Sequence, residues 1–170
     1  MIGFETIGNA TLTLFDDEPI LTTDPWVFGN PYFGSWGHKY IIPQEQINNI
    51  NKCKFIWLSH GHPDHIDPDS FDLFQGKKIL LADHYNKRIF NELSKKYDCT
   101  QLKSNTWFRI SKNIRIKSFS DWNQDSSLLV EILKKDIILN LNDGQALGWS
   151  SEIKKIIKNY KNKFLLRLIS

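Results

Sequence analysis

Residues 59–65 read Ser59-His60-Gly61-His62-Pro63-Asp64-His65, so three imidazoles and one carboxylate stand within six positions. An extended chain directs residues i and i+2 to the same side, and His60 and His62 can therefore hold one metal ion. Asp64 and His65 follow the bend after Pro63 and can reach a second ion about 3.5–4 Å from the first. Neutral imidazole and carboxylate are ligands that suit Zn, Fe or Mn.

The segment that precedes these residues supports a metal site. Residues 54–58 are mostly apolar, as expected for a strand that is buried on both faces. The alternative is a histidine-rich surface turn whose imidazoles are solvated or hydrogen-bonded. Three histidines directly after a buried strand favour the metal site.

The first third of the chain predicts strands followed by a long loop. Residues 4–7, 11–15 and 20–23 are short β-prone runs, and the turn residues 16–19 join the last two into an antiparallel meander. Residues 24–40 are rich in Gly, Pro and aromatic side chains and show neither the periodicity of a helix nor that of a strand. Such a long loop is typically functional. A short helix begins at about Pro43.

The rest of the chain alternates helices and strands. Asp67 and Pro68 predict a helix start, residues 85–96 predict a second surface helix, and Ser150 is predicted to cap a third. Strands are predicted at residues 79–81, 108–110, 114–119, 128–133 and 137–141, with a hairpin turn at 134–136, and a last apolar run covers 164–169. We therefore expect a single α/β domain spanning residues 1–170, with helices covering mixed sheets.

Composition excludes several classes of protein. The net charge of +3 is spread along the chain and does not imply nucleic acid as a partner. Cys53 and Cys99 show no zinc-ribbon spacing and are too few for a disulfide framework, so a reducing cytoplasm is the expected location. No secretion signal is visible, and no apolar run approaches the ~20 residues that span a bilayer.

The histidine segment resembles the HxHxDH signature of the metallo-β-lactamase superfamily. Residues 20–26 look like the superfamily's early strand ending in a structural aspartate, and residues 141–144 occupy the place of its Asp-bearing strand end. Residues 8–10, the region of Trp36 and residues 121–123 look most like the branch that contains UlaG-like lactonases, N-acylphosphatidylethanolamine phospholipases and CMP-N-acetylneuraminate hydroxylases. The resemblance implies a metallo-β-lactamase-like αββα sandwich.

The resemblance also implies roles for individual residues. His60 and His62 would bind a first metal, Asp64 and His65 a second, and Asp143 would bridge both. The implied cofactor is one or two Zn²⁺ ions, with Fe or Mn as alternatives.

Asp24 would orient the ligand imidazoles without binding the metal itself, although an aspartate before Pro25 can equally be a turn cap.

Two departures from the superfamily pattern concern the ligand set and the length. No histidine follows His84, so either Asp121 replaces the superfamily's next histidine ligand, with Asp125 as the next candidate, or that position is empty. The final histidine, which lies well downstream of the bridging aspartate, has no counterpart before Ser170. The chain is therefore expected to lack much of the C-terminal βα half, and to self-associate or to be part of a longer protein.

The expected activity is that of a metal-dependent hydrolase. Metal-bound hydroxide would attack an ester, lactone, amide or phosphodiester bond of a small molecule, and Asp64 would orient or deprotonate the water. The alternative is a degenerate, non-catalytic module of the same fold in sugar-nucleotide or glycan metabolism, as the missing histidine suggests.

Three further side chains are candidates for a role. Trp36 and His38 are the candidate substrate-binding residues, although a loop histidine is more often a polar surface group and the loop aromatics can pack a core edge instead. His84 is expected to be structural.

Overall fold

The computed structural model of the protein describes residues 1–167 and contains two β-sheets that pack face to face. The first sheet has the strand order β1-β2-β3-β4-β5-β6. Its strands are β1 (Ile2–Gly8), β2 (Thr11–Asp16), β3 (Glu18–Thr23), β4 (Phe55–Leu58), β5 (Lys78–Ala82) and β6 (Asp98–Leu102). β1 to β3 form the predicted antiparallel meander, whereas β3 to β6 run parallel.

The second sheet has the strand order β11-β10-β9-β8-β7. Its strands are β7 (Trp107–Arg109), β8 (Ile114–Ser120), β9 (Ser126–Ile132), β10 (Asp136–Asn140) and β11 (Asn162–Leu166). All neighbours are antiparallel except β10 and β11, which are parallel and are connected through a helix. β8 and β10 therefore point in the same direction.

Helices cover the outer face of each sheet. α1 (Gln44–Lys52), a 3-10 helix (Pro68–Phe74) and α2 (Arg88–Leu93) supply apolar side chains to a core on the first sheet. α3 (Ser150–Ile157) packs Ile153 against the second sheet. The layers are thus helices, sheet, sheet and helix, which is the predicted αββα order. One helix covers the second sheet in the described part, so the second half is the smaller one.

Alternation along the strands explains the layers. In β4, Ile56 and Leu58 face the helices, while Trp57 faces the second sheet, and all three are fully buried. β5 repeats this pattern one strand further on. Because both faces of these parallel strands are covered, nearly every position is apolar, and the apolar run predicted the strand correctly.

Three local predictions differ from the structure. The helix predicted over 85–96 is confined to α2, because Lys87 has the left-handed φ of 50° and ends a turn there. Strand β6 was not predicted, since its sequence is polar and the strand is formed by pairing with β5. Ser150 is the first helical residue and not the cap; Trp149 precedes the helix and anchors it by donating Nε1–H to the Ser120 carbonyl at 2.7 Å.

The apolar run predicted at 164–169 overlaps β11 at residues 164–166, and residues 168 and 169 lie outside the described residues. β11 pairs in parallel with β10. It is an edge strand, and Phe164 and Leu165 remain 44% and 64% exposed. Among residues 1–167, we find no helix with the length and hydrophobicity needed to cross a bilayer.

Candidate metal centre

The carboxyl ends of several strands meet at one edge of the sandwich. β3 and β4 are parallel, so the residues that follow them, Asp24 and Ser59, lie side by side. In the second sheet β8 and β10 point the same way, which brings the loop 121–125 and Asp143 to the same edge. Residues far apart in the chain therefore share one site.

The first half of the cluster is built from His60 and His62. Nε2 of His60 lies 2.7 Å from Nδ1 of His62. Oδ2 of Asp143 lies 3.5 Å from the first nitrogen and 3.9 Å from the second, and Oδ1 of Asp125 lies 3.8 Å from Nε2 of His60. The other ring nitrogen of His60 is within hydrogen-bond distance of the Ser59 hydroxyl, at 2.9 Å, which orients the ring.

The second half contains His65 and Asp64. Nε2 of His65 lies 3.5 Å from Oδ2 of Asp64 and 3.7 Å from Oδ2 of Asp143. On the opposite side of the ring, Nδ1 lies 3.2 Å from Oδ2 of Asp24, and both side chains are inaccessible to solvent. The neutral tautomer that carries its proton on Nδ1, next to the Asp24 carboxylate, would leave the lone pair of Nε2 directed into the cluster.

These donors fit a metal ion. Ligand atoms of His60, His65 and Asp143 all lie within 4.8 Å of one another. Nε2 of His65 is buried and has no hydrogen-bond partner within residues 1–167, which is a costly state for a polar atom unless something binds there. Asp143 contacts histidines of both halves through a single oxygen, so it is placed as a bridging ligand would be.

Asp64 is held by two side chains that the sequence did not single out. The hydroxyl of Tyr32 donates to Oδ1 of Asp64 at 2.7 Å, and Nδ2 of Asn9 donates to Oδ2 at 3.2 Å and to the backbone carbonyl at 2.9 Å. Both Asn9 and Tyr32 adopt a left-handed backbone, with φ of 45° and 55°. Two separate loops thus fix the orientation of this carboxylate.

Electrostatics within the cluster follow from burial and opposite charges. Burial raises the pKa of Asp143, but hydrogen bonding and attraction from His60 and His65 outweigh it and bring the value down to about 2. Burial would lower the pKa of His65, yet Asp24, Asp64 and Asp143 together hold it above its usual value. The carboxylates therefore favour a cation at the centre.

Asp125 differs from Asp143 in its environment. Its pKa is raised, mainly by burial and also by the neighbouring Asp143 and Asp121, although His60 opposes this. A carboxylate crowded by other carboxylates is more stable when a cation compensates the negative charge.

The structure does not bring Asp121 into the cluster. Its Oδ1 accepts from the backbone N–H groups of Asn123 and Asp125, at 3.0 and 3.1 Å, and so caps its own loop. Among residues 1–167, the carboxylates within 4 Å of His60 belong to Asp125 and Asp143. The structure thus places the carboxylate of Asp125, and not that of Asp121, beside His60, because the capped turn directs the side chain four residues later toward the cluster.

The loop aromatics lie beside the cluster. Trp36 packs on Tyr32 with ring centroids 4.9 Å apart, which places it one residue away from Asp64. His38 stacks on Trp26 at 4.2 Å and does not reach the ligand atoms. Burial lowers its pKa, so the ring is a stacked, largely neutral side chain in this position.

His84 and Ser59 form a supporting layer. Nε2 of His84 donates to the carbonyl of Ser59 at 2.7 Å, and the Ser126 hydroxyl donates to the same carbonyl at 2.7 Å. The backbone N–H of Ser59 in turn donates to Asp24 at 2.8 Å. Ser59 belongs to the histidine segment in the sequence, but the number of its contacts follows only from the fold.

No family model matches the chain. A curated relative is the cytidine monophosphate-N-acetylneuraminic acid hydroxylase of Asterias rubens, 25% identical over 139 residues, which are 73% of this chain and 19% of that protein. The chain thus spans about a fifth of that relative's length. This hydroxylase is of a type that belongs to the branch named from the sequence.

Solved structures show the fold. A possible metal-dependent hydrolase from Veillonella parvula matches with a TM-score of 0.66 at 13% identity, covering 94% of this chain and 68% of its own. CmlA, a diiron β-hydroxylase from Streptomyces venezuelae, matches with a TM-score of 0.65 at 12% identity, and the match covers 94% of this chain and 33% of CmlA. Zn²⁺-bound PqqB from Methylobacterium extorquens matches with a TM-score of 0.55 at 11% identity, and the match covers 92% of this chain and 59% of PqqB. The chain has an α/β metallo-β-lactamase-like fold, as the resemblance implied.

Proposed function

We propose that this chain is a metal-dependent hydrolase with a two-ion centre. The observation that carries the proposal is the position of Asp143, whose Oδ2 lies 3.5–3.9 Å from ring nitrogens of His60, His62 and His65. A carboxylate oxygen that lies between the His60/His62 pair and His65 can bridge two neighbouring cations, which in two-metal sites lie about 3.5–4 Å apart.

The ligands divide into two groups under this proposal. His60, His62 and Asp125 would hold one ion, Asp64 and His65 the other, and Asp143 both. Bound metal ions lower the pKa of water and polarise the bond to be hydrolysed, which suits an ester, lactone, amide or phosphodiester. Tyr32 and Asn9 keep Asp64 oriented toward the second ion. The lone pairs of Asp64 that these hydrogen bonds and the ion leave free would orient water or accept its proton.

The donor set also bears on which metal is bound. With Asp125 in place of a histidine ligand, the proposed centre would have three imidazoles and three carboxylates. Carboxylates favour harder cations, and we expect Fe or Mn to compete well with Zn at the first position. The neighbours include both a zinc protein and a diiron protein.

The competing function is a non-catalytic module of the same fold. The replacement of a histidine by Asp125 and the hydroxylase relative, whose name includes a sugar nucleotide, favour an accessory role in glycan metabolism. Metal content separates the two functions, because a degenerate module need not retain stoichiometric metal.

The test is elemental analysis of the purified chain together with hydrolysis of 4-nitrophenyl acetate, a simple lactone and bis(4-nitrophenyl) phosphate. We expect one to two equivalents of metal and metal-dependent hydrolysis of at least one compound. His60→Ala combined with His62→Ala should lose both while circular dichroism stays unchanged, since these side chains pack little apolar surface.

His84→Ala is the matched control, because it removes a buried histidine that is not a proposed ligand. It should lower stability by about 1–3 kcal/mol, as expected when a buried hydrogen bond is broken, and keep the metal stoichiometry. Absence of metal from the wild-type chain would support the non-catalytic module.

A further inference from the structure

A cavity of about 690 Å³ opens beside the metal centre. His60, His62 and Asp125 are among the residues that line it, so the cavity adjoins the cluster. Its volume falls within the roughly 300–1,000 Å³ that is usual for small-molecule sites. The space is therefore large enough to hold a substantial part of a substrate whose reacting bond lies at the cluster.

The interior of the cavity is apolar. Leu58 and Leu81, at the carboxyl ends of two parallel strands, form its floor, and Ile89, Phe90 and Leu93 of α2 form a wall. Ile89 and Phe90 are only partly buried by the rest of the chain. Apolar side chains that are left half-covered around a cavity favour an apolar ligand, because filling the space removes their surface from water.

The apolar side chains of α2 reach the loop that carries His60 and His62. Gly61 stands between two proposed ligands, and a Cβ placed on it would lie only 3.0 Å from Cδ1 of Ile89. The helix wall therefore touches the backbone between His60 and His62. A ligand lying along Ile89 would have one end at the cluster.

The rim of the cavity is basic. Lys87, Arg88, Lys95 and Lys96 line it, against the acidic Glu92 and Asp125. Lys95 is paired with Glu92 at 2.7 Å, whereas Lys87 and Arg88 are in no ion pair within residues 1–167. The cations next to α2 are therefore available to an anionic group of a ligand.

Two loops bridge the mouth on the side of the cluster. The Asn86 side-chain amide donates to the side-chain oxygen of Gln124, which joins the segment before α2 to the loop that carries Asp125. Both residues line the cavity. The entrance is thus a polar, basic rim around an apolar interior.

We propose that this cavity binds the apolar part of the substrate, and that the substrate is an amphipathic organic anion whose charge meets Lys87 and Arg88. The inference deepens the proposed hydrolase function and rests on it for the position of the reacting bond. The pocket itself can be tested without any hydrolysis. An apolar group of the substrate would pack against the apolar side chains of α2, and a negatively charged group would pair with the cations at the rim.

The experiment is calorimetric titration of the purified chain with decanoate, hexanoate and decyltrimethylammonium, before and after treatment with EDTA. We expect saturable binding of decanoate in both states, weaker binding of hexanoate because less apolar area is buried, and no comparable binding of the cation. Ile89→Ser should weaken decanoate binding about tenfold, which corresponds to the loss of part of a buried aliphatic side chain.

Arg88→Gln with Lys87→Gln is the second variant, and it cannot fail by unfolding the core because both side chains are exposed. It should weaken decanoate binding about threefold, as expected for exposed charges. Ile41→Ser is the control for the apolar change, because Ile41 is 94% exposed and does not line the cavity. It should bind decanoate as the wild type does.

Several results would overturn the pocket assignment. They are no saturable decanoate binding, equal affinity in Ile89→Ser and wild type, equal binding of the cationic probe, or loss of decanoate binding on chelation alone. If hydrolysis and metal binding fail while decanoate binds as expected, the hydrolase function is wrong and the ligand class of the cavity stands.

Discussion

Oδ2 of Asp24 lies 3.2 Å from Nδ1 of His65, and neither side chain is accessible to solvent. Oδ1 of the same carboxylate accepts the backbone N–H of Ser59 at 2.8 Å. Asp24 therefore holds both the first backbone amide and the last imidazole of the segment 59–65. A carboxylate behind a ligand histidine fixes its tautomer and makes the ligand more basic.

Asp24→Asn should weaken binding of the ion held by His65. Asparagine can still accept from Ser59 and tolerates the positive φ of 38°, but it carries no charge to orient the imidazole. We expect an about 10- to 100-fold loss of metal affinity, measured by competition with a chromophoric chelator. Asp98→Asn, at an exposed ion pair with Lys78, should have no effect. Equal affinities in all three proteins would mean that Asp24 only stabilises the turn.

Asp125→Asn and Asp121→Asn form a matched pair in one loop. Asp125 faces His60, so loss of its charge should reduce affinity at the first position by about tenfold or more. The Asp121→Asn variant would keep the Oδ1 acceptor for the two backbone N–H groups, so it should bind metal as the wild type does. Competition titrations with Zn²⁺ and Mn²⁺ compare the two, and the reverse order would restore Asp121 as the ligand.

Tyr32→Phe removes the hydroxyl that holds Oδ1 of Asp64. A hydrogen bond to a charged group contributes roughly 1.5–3 kcal/mol, so a tenfold or greater loss of affinity for the second ion is expected. The phenyl ring can still pack on Trp36, and the thermal midpoint should change little. Tyr85→Phe is the control, because Tyr85 is 90% exposed. A large fall in thermal stability without a change in metal affinity would contradict a positioning role.

The buried thiol of Cys53 predicts a pH dependence of stability. Burial raises its pKa from 9.0 to about 12 despite the opposing charge of Lys77. Because the folded pKa is raised, this stability is fully present below about pH 9 and is lost as the pH rises toward 12. Urea unfolding from about pH 8 to about pH 10.5 should show a smaller loss of stability in Cys53→Ala than in the wild type. An equal loss of stability with pH in the two proteins would show that burial does not raise the pKa of the Cys53 thiol.

Much of the site was predictable from local sequence. The segment 59–65 concentrates ligand residue types, and the apolar run before it identifies a strand buried on both faces. A strand end followed by closely spaced donors is a local pattern, so its chemistry can be inferred without knowing what lies opposite. Asp24 and Asp143, in contrast, could be placed only through the resemblance.

Asp125 could be named only as the next candidate after Asp121, and Asn9 and Tyr32 could not be assigned in this way. Asp121 and Asp125 stand in one loop, and only the hydrogen bonds that turn the loop decide which carboxylate faces His60. Asn9 and Tyr32 reach Asp64 from loops 55 and 32 positions away, which requires neighbouring loops of the first sheet to converge. Such contacts depend on through-space distances that periodicity does not encode.

The sequence by itself determined the α/β class, through the alternation of helix and strand patterns along the chain, and the residue types of a metal centre, through the spacing of donors after one strand; the αββα layering was implied by the resemblance. Tertiary structure alone decided that one oxygen of Asp143 contacts three histidines, and that α2 leaves an apolar cavity beside them. These features arise where parallel strand ends from two sheets converge, and the convergence is a property of how the sheets pack.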